Sequence, residues 1–165
     1  MVNISASLQE RLEDRLRTHP ISAVLQPSIE ALSLDACTLK MPFRSEISNG
    51  HGAVHGGFLA ALADSAMAFA LSTNFDGEMG FATADLTIHY FKRARTDVTA
   101  KARVIKKGRR INVGIIDLYD TSGELIATAL TSFLSTDSGP SAGPDASELP
   151  VELETSGLSA GRDSQ

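Results

Sequence analysis

The sequence predicts an α+β domain in which a curved antiparallel sheet wraps around a long central helix. Three observations carry that expectation. Residues 56 to 74 are rich in alanine and leucine and apolar on nearly every side, and a helix apolar all round is one buried all round. From Phe81 onward the pattern switches to apolar–polar alternation, the period of strands with one face covered. Clusters of Gly, Asp, Ser and basic residues separate the alternating runs, as turns do.

The elements follow in chain order. Ser7-Leu8-Gln9-Glu10 has the spacing of a capping box, and Leu8, Leu12 and Leu16 recur every four residues. These predict an amphipathic helix over 7–18 that packs on the outside, ended by Pro20. Two strands are expected around Ile29 to Leu34 and Cys37 to Phe43. Asn49-Gly50-His51-Gly52 reads as a loop, because Asn and Gly tolerate positive φ. The central helix follows. Beyond it, Leu86, Ile88 and Tyr90, then Ala100, Ala102 and Val104, then Ile111, Val113 and Ile115, then Ile126, Thr128, Leu130 and Ser132 alternate. With turns at Lys107-Gly108-Arg109 and Asp120-Thr121-Ser122-Gly123, they read as a chain of antiparallel hairpins. A helix of about 19 residues is roughly 28 Å long, comparable to the width of about six strands, so such a sheet can curl around it.

The chain has 165 residues and one cysteine, which suits one core without an internal disulfide. No basic stretch leading into an apolar run opens it and no apolar run is long enough to span a bilayer, so a reducing cytoplasm is expected and a membrane is not. The net charge of −5 is uneven. Six acids and only Arg162 among the bases lie beyond residue 136, leaving fourteen of each sign before it, so nucleic acid is not an expected partner. The organisation read from these features is an N-terminal helix in residues 1–20, a main domain over 21–136 and an acidic, disordered tail over 137–165.

Asp64 is the only charged residue between Ile47 and Phe75. A lone carboxylate in an apolar helix loses solvation and has its pKa raised unless a neighbour favours the charge. Function is one reason to keep it; capping a neighbouring backbone or facing a subunit boundary is another. His55-Gly56-Gly57 stands where loop becomes helix, so the glycine amides are among the helix's first unpaired donors, suited to a developing oxyanion. Eight residues separate Gly56 from Asp64, about 12 Å of axial rise, too far for both to reach one reacting carbon. If they share a site, it lies at a homodimer interface.

Other candidates are weaker. His51 and His55 lack a third ligand, so no metal is expected. Cys37 has no paired base and reads as a small core residue. No Gly-x-Ser-x-Gly elbow is present, and Ser65 points about 100° away from Asp64 around the helix, so a serine triad is not expected. Lys106, Lys107, Arg109 and Arg110 flank one turn; they suit either a solvated turn or the phosphates of a nucleotide-bearing ligand.

The run from Asn49 to Gly57, followed by Leu62-Ala63-Asp64, resembles the signature of hotdog-fold acyl-CoA thioesterases of the PaaI type. The likeness extends through residues 83–88, Lys107-Gly108-Arg109 and 120–123, covering about residues 30 to 135. It departs at Phe91-Lys92-Arg93-Ala94, where many relatives carry a proline. The resemblance implies a hotdog fold and hydrolysis of an acyl- or aryl-acetyl-CoA thioester. Asp64 would be general base or nucleophile, and the Gly56 amide the oxyanion donor. Asn49 would position the carbonyl or the water, and Thr83 would hold the water. His55 would orient the loop or the substrate. His55, Gly57, Phe58, Arg93, Lys107 and Arg109 are the expected substrate-binding residues, and no cofactor is expected. Asn49 and Gly56 would come from one chain and Asp64 from its partner, in a homodimer that pairs into a homotetramer. Phe58, Met67, Phe69, Phe75, Met79 and Phe81 could line an acyl pocket or fill core. Two alternatives stay open: an acyl-CoA-binding hotdog protein without catalysis, and a hotdog hydratase or dehydratase.

Overall fold

The computed structural model describes residues 2–75 and 80–135, and the expected acidic tail lies outside the described residues. One six-stranded sheet, in the order β1-β2-β4-β5-β6-β3, curls against a 17-residue helix, α3 (Gly56–Ser72). The strands are β1 (Ser28–Ser33), β2 (Ala36–Met41), β3 (Phe81–Tyr90), β4 (Val98–Lys106), β5 (Ile111–Tyr119) and β6 (Leu125–Ser135). This is the hotdog arrangement. Its core joins α3 residues such as Leu59, Leu62, Ala66, Met67 and Leu71 to sheet residues such as Leu39, Met41, Val98, Ile116 and Leu118.

The strands fall close to where alternation places them, and the strand order corrects one expectation. β4, β5 and β6 form the expected antiparallel meander, but β3 and β4 are not a hairpin. β3 pairs with β6 at one edge, whereas β4 pairs with β2, Val98 opposite Met41 and Arg103 opposite Ala36. The physical reason is the crossover. The chain leaves β2, crosses the sheet as α3 and enters β3 at the far edge, and the meander fills the gap between. Alternation reports a strand's faces and not its neighbours.

The N-terminal helix α1 (Ala6–Thr18) buries Leu8, Leu12 and Leu16 as their spacing requires. Its cap is Ser5 and not Ser7: the Leu8 amide donates to Ser5 Oγ at 3.2 Å. Ser5 is the extended residue before the first turn, whereas Ser7 is already inside the helix. Pro20 does not only end α1. It opens a second short helix, α2 (Pro20–Leu25), at the position where a missing N–H costs nothing. His19 serves both, ending α1 and capping α2 by accepting the Ile21 amide on Nδ1 at 3.4 Å.

A bulge in β3 has the largest consequence for function. Thr83 lies opposite Phe133 and Asp85 opposite Ser132, so Ala84 is an extra residue in the ladder. Phe81 and Thr83 are odd-numbered while Leu86, Ile88 and Tyr90 are even, and in an unbroken strand these sets would face opposite sides. The extra residue resets the phase, and both sets contribute side chains toward α3 or the core.

Two further contacts set α3 in place. Gly114 of β5 lets the helix approach closely: a Cβ there would sit 2.1 Å from Met67 Sδ and 3.1 Å from the Arg103 carbonyl oxygen. Below the helix C-terminus, Lys107 Nζ donates to Asp35 Oδ2 at 3.0 Å and Asn74 Oδ1 at 2.7 Å, and Asn74 Nδ2 donates to Asp35 Oδ1 at 2.8 Å. This network joins the β1–β2 turn, the end of α3 and the β4–β5 turn. Because Met67 is fully buried, Gly114→Ala is expected to lose about 1–3 kcal/mol in urea unfolding. Met67→Ala in the same chain should make the two losses less than additive, since the variants share one contact.

Candidate active site

Asp64 sits in the third turn of α3, half-buried, with Thr83 Oγ1 donating to its Oδ1 at 2.7 Å. Burial raises its pKa above the usual carboxylate value, and the Thr83 hydroxyl opposes part of that rise by favouring the charged form. The carboxylate borders a cavity of about 170 Å³ whose apolar walls include Phe69, Phe81 and Phe133. Phe81 and Phe133 meet edge to face, centroids 5.6 Å apart, which holds both rings. Thr83 reaches the carboxylate only because of the Ala84 bulge.

A second cluster occupies the helix N-terminus. The loop before α3 folds around Asn49, whose Oδ1 accepts the amides of His51 at 2.9 Å and Ala53 at 3.3 Å. Gly52 takes φ +67°, a conformation that suits glycine. Among the described residues Asn49 Nδ2 has no protein acceptor, so it remains a donor. His55 caps α3, with Nδ1 accepting the Gly57 amide at 3.0 Å. That occupies Gly57 and leaves the Gly56 amide, among the described residues, as the first N–H of the helix without a partner. Tyr90 Oη donates to the Gly56 carbonyl at 2.8 Å, and a Cβ on Gly56 would lie 3.3 Å from the Tyr90 ring.

The chain therefore brings Asp64 to Thr83 and Tyr90 to Gly56, with Asn49 in the loop that leads into His55 and α3, but does not bring the two groups together. They sit two helical turns apart along α3, beside opposite ends of β3. Phe58 belongs to the second group, its ring edge to face with His55 at 6.2 Å. Arg93 is exposed beside the same loop, where the Val54 amide donates to the neighbouring Ala94 carbonyl. Lys107 and Arg109 lie at the other end of the sheet. Lys107 is engaged with Asp35 and Asn74, and Arg109 is exposed.

Of the six suggested pocket residues, Phe69 and Phe81 line the cavity and Phe75 packs on Phe81. Met67 fills core against Gly114, and Met79 lies outside the described residues. Cys37 is buried in β2, and burial pushes its thiol well up, which leaves it uncharged and poorly nucleophilic. Sequence reasoning missed Phe133, Tyr90, His19 and Ile21 as parts of these clusters. Tyr90, an aromatic closing an alternating run, carried a usable signal. Phe133 reaches the cavity through its pairing opposite Thr83, which no local pattern reports.

The raised pKa of Asp64 has a consequence for stability. Between its unfolded and folded pKa values the native state binds more protons than the unfolded chain, so Asp64 penalises folding increasingly as pH rises through that window. Asp64→Asn keeps an acceptor for Thr83 and removes the charge. It is expected to melt above wild type at pH 7, with the difference shrinking as pH falls below the folded pKa. A pH series of thermal melts checks this.

Comparison with known proteins gives a consistent picture. Residues 51–127 match the family model of the thioesterase superfamily. A Halobacterium salinarum protein named as an esterase is 30% identical over 119 residues, covering 69% of this chain and 76% of that protein. Acyl-coenzyme A thioesterase 13 of Mus musculus is 25% identical over 131 residues, 77% of this chain and 93% of its own length. The PaaI protein from the phenylacetic acid degradation operon of E. coli shares the fold at TM-score 0.74 and 19% identity, over 83% of this chain and 99% of that one.

Proposed function

The chain belongs to the thioesterase superfamily and is a thioester hydrolase, and from that premise we propose that it hydrolyses acyl-coenzyme A thioesters at sites shared between two copies. The observation that carries this reading is the Thr83–Asp64 hydrogen bond at the mouth of a phenylalanine-lined cavity. An oriented carboxylate beside an apolar hole suits an acyl group with its reacting carbonyl at the rim.

The shared site rests on β3. Among the described residues it is an edge strand, bonded on one side to β6 and presenting unpaired backbone groups on the other. Its two ends carry the two clusters, Thr83 with Asp64 near one and Tyr90 with Gly56 toward the other. Antiparallel pairing of β3 with its symmetry mate would set the Asp64 end of one copy against the Gly56 end of the other. Each dimer then holds two sites, which answers the separation along α3.

In the proposed reaction Thr83 holds Oδ1 and leaves Oδ2 of Asp64 to take a proton from water. The water oxygen bonds to the thioester carbonyl carbon, and the resulting oxyanion accepts from the partner copy's Gly56 amide at the positive end of α3. Asn49 Nδ2 donates to the same carbonyl or to the water. The C–S bond then breaks, the free acid forms, and the thiolate leaves with the proton Asp64 had accepted.

Asp64→Asn and Asn49→Ala should each lower thiol release from acyl-CoA by about 10²–10⁴-fold. Mixing the two inactive variants under exchange conditions should restore about a quarter of the wild-type rate, because random dimers containing one of each hold one intact site. No recovery despite confirmed exchange would place both groups in one chain.

A further inference from the structure

The cavity beside Asp64 is not made by the helix and sheet alone. His19 and Ile21, at the junction of α1 and α2, complete its lining. Neither residue falls within the 51–127 segment that matches the family. We propose that this α1–α2 elbow is the far wall of the acyl pocket and that Ile21 sets the size of the acyl group accepted. The proposal rests on the thioesterase reading and adds a specificity-determining residue to it.

The elbow is built to hold position. Leu12, Leu16 and Leu25 are buried on either side of it. Ser22 Oγ donates to the Leu16 carbonyl at 2.5 Å across the bend, and Arg44 donates to the Val24 carbonyl from the loop after β2. Pro20 limits the backbone at the bend, and the His19 cap holds the Ile21 amide. Ile21 itself is partly buried against the core. A wall anchored from both sides does not yield freely to a longer chain.

The volume gives the wall its consequence. An apolar cavity of about 150 Å³ is enough to hold benzene, so the 170 Å³ here suits one ring or a short chain of similar bulk. Shortening Ile21 deepens the pocket, and enlarging it closes the pocket. A methylene more or less in an apolar pocket changes discrimination by about 10–200-fold.

The test compares wild type, Ile21→Ala and Ile21→Phe on butyryl-, octanoyl- and phenylacetyl-CoA by thiol release. In parallel, thermal shift reads binding of butyrate, octanoate and phenylacetate to the same proteins. The octanoyl-to-butyryl ratio of kcat/KM should rise by about tenfold or more in Ile21→Ala and fall in Ile21→Phe. A merely structural role would lower all substrates together in both variants. Hydrolysis with an unchanged ratio in both variants overturns the wall and leaves the thioesterase reading standing. Absence of hydrolysis, with an acid-size preference that still moves in opposite directions, overturns the thioesterase reading and keeps the wall. Loss of both responses overturns both.

Discussion

α3 has no polar face, and that constraint organises the molecule. A helix with apolar residues around its whole circumference calls for cover, and the sheet curled about it buries one side and its C-terminal half, while a stripe through Gly57, Ala61, Asp64 and Ser65 stays only partly covered. Enclosure also requires close approach, which Gly114 permits at Met67. Within this wrapping, Asp64 is the one charge the helix carries. Its position is tolerable because it faces the β3 edge, where Thr83 can donate to it and water or a ligand can enter.

The edge strand does two jobs through one irregularity. Without the extra Ala84, a strand that sends Leu86, Ile88 and Tyr90 toward the helix side could not also send Thr83 there. The bulge thus couples the Tyr90–Gly56 contact at one end of α3 to the Thr83–Asp64 contact at the other. Each end of the helix is fixed by different chemistry. The N-terminus is organised by side-chain caps that spare the Gly56 amide, and the C-terminus by the Asp35–Asn74–Lys107 network. Spending the Gly57 amide on His55 leaves the Gly56 amide, among the described residues, as the first helix N–H without a partner.

The proposed roles of the peripheral segments follow from the same geometry. Lys107, read from sequence as part of either a solvated turn or a phosphate contact, holds two turns against α3, so any role toward a substrate would compete with those bonds. The elbow at Pro20, read as a simple stop, instead folds back to border the cavity. In both cases a local signal was present and its partner lay far along the chain.

What the amino-acid order by itself determined was periodicity and isolation: the buried helix, the strand runs, the loop at Asn49, the lone Asp64, and the distance that keeps Gly56 from it. Those properties are local, set by backbone period and by the cost of desolvating one charge. Only the tertiary structure decided that β3 crosses to the far edge, that a bulge turns Thr83 onto Asp64, that Phe133 arrives opposite Thr83, and that Pro20 begins a helix whose residue Ile21 lines the cavity. Each of these depends on which strand or helix lies beside which. Side chains brought together by packing across dozens of residues leave no periodic trace in the chain that carries them.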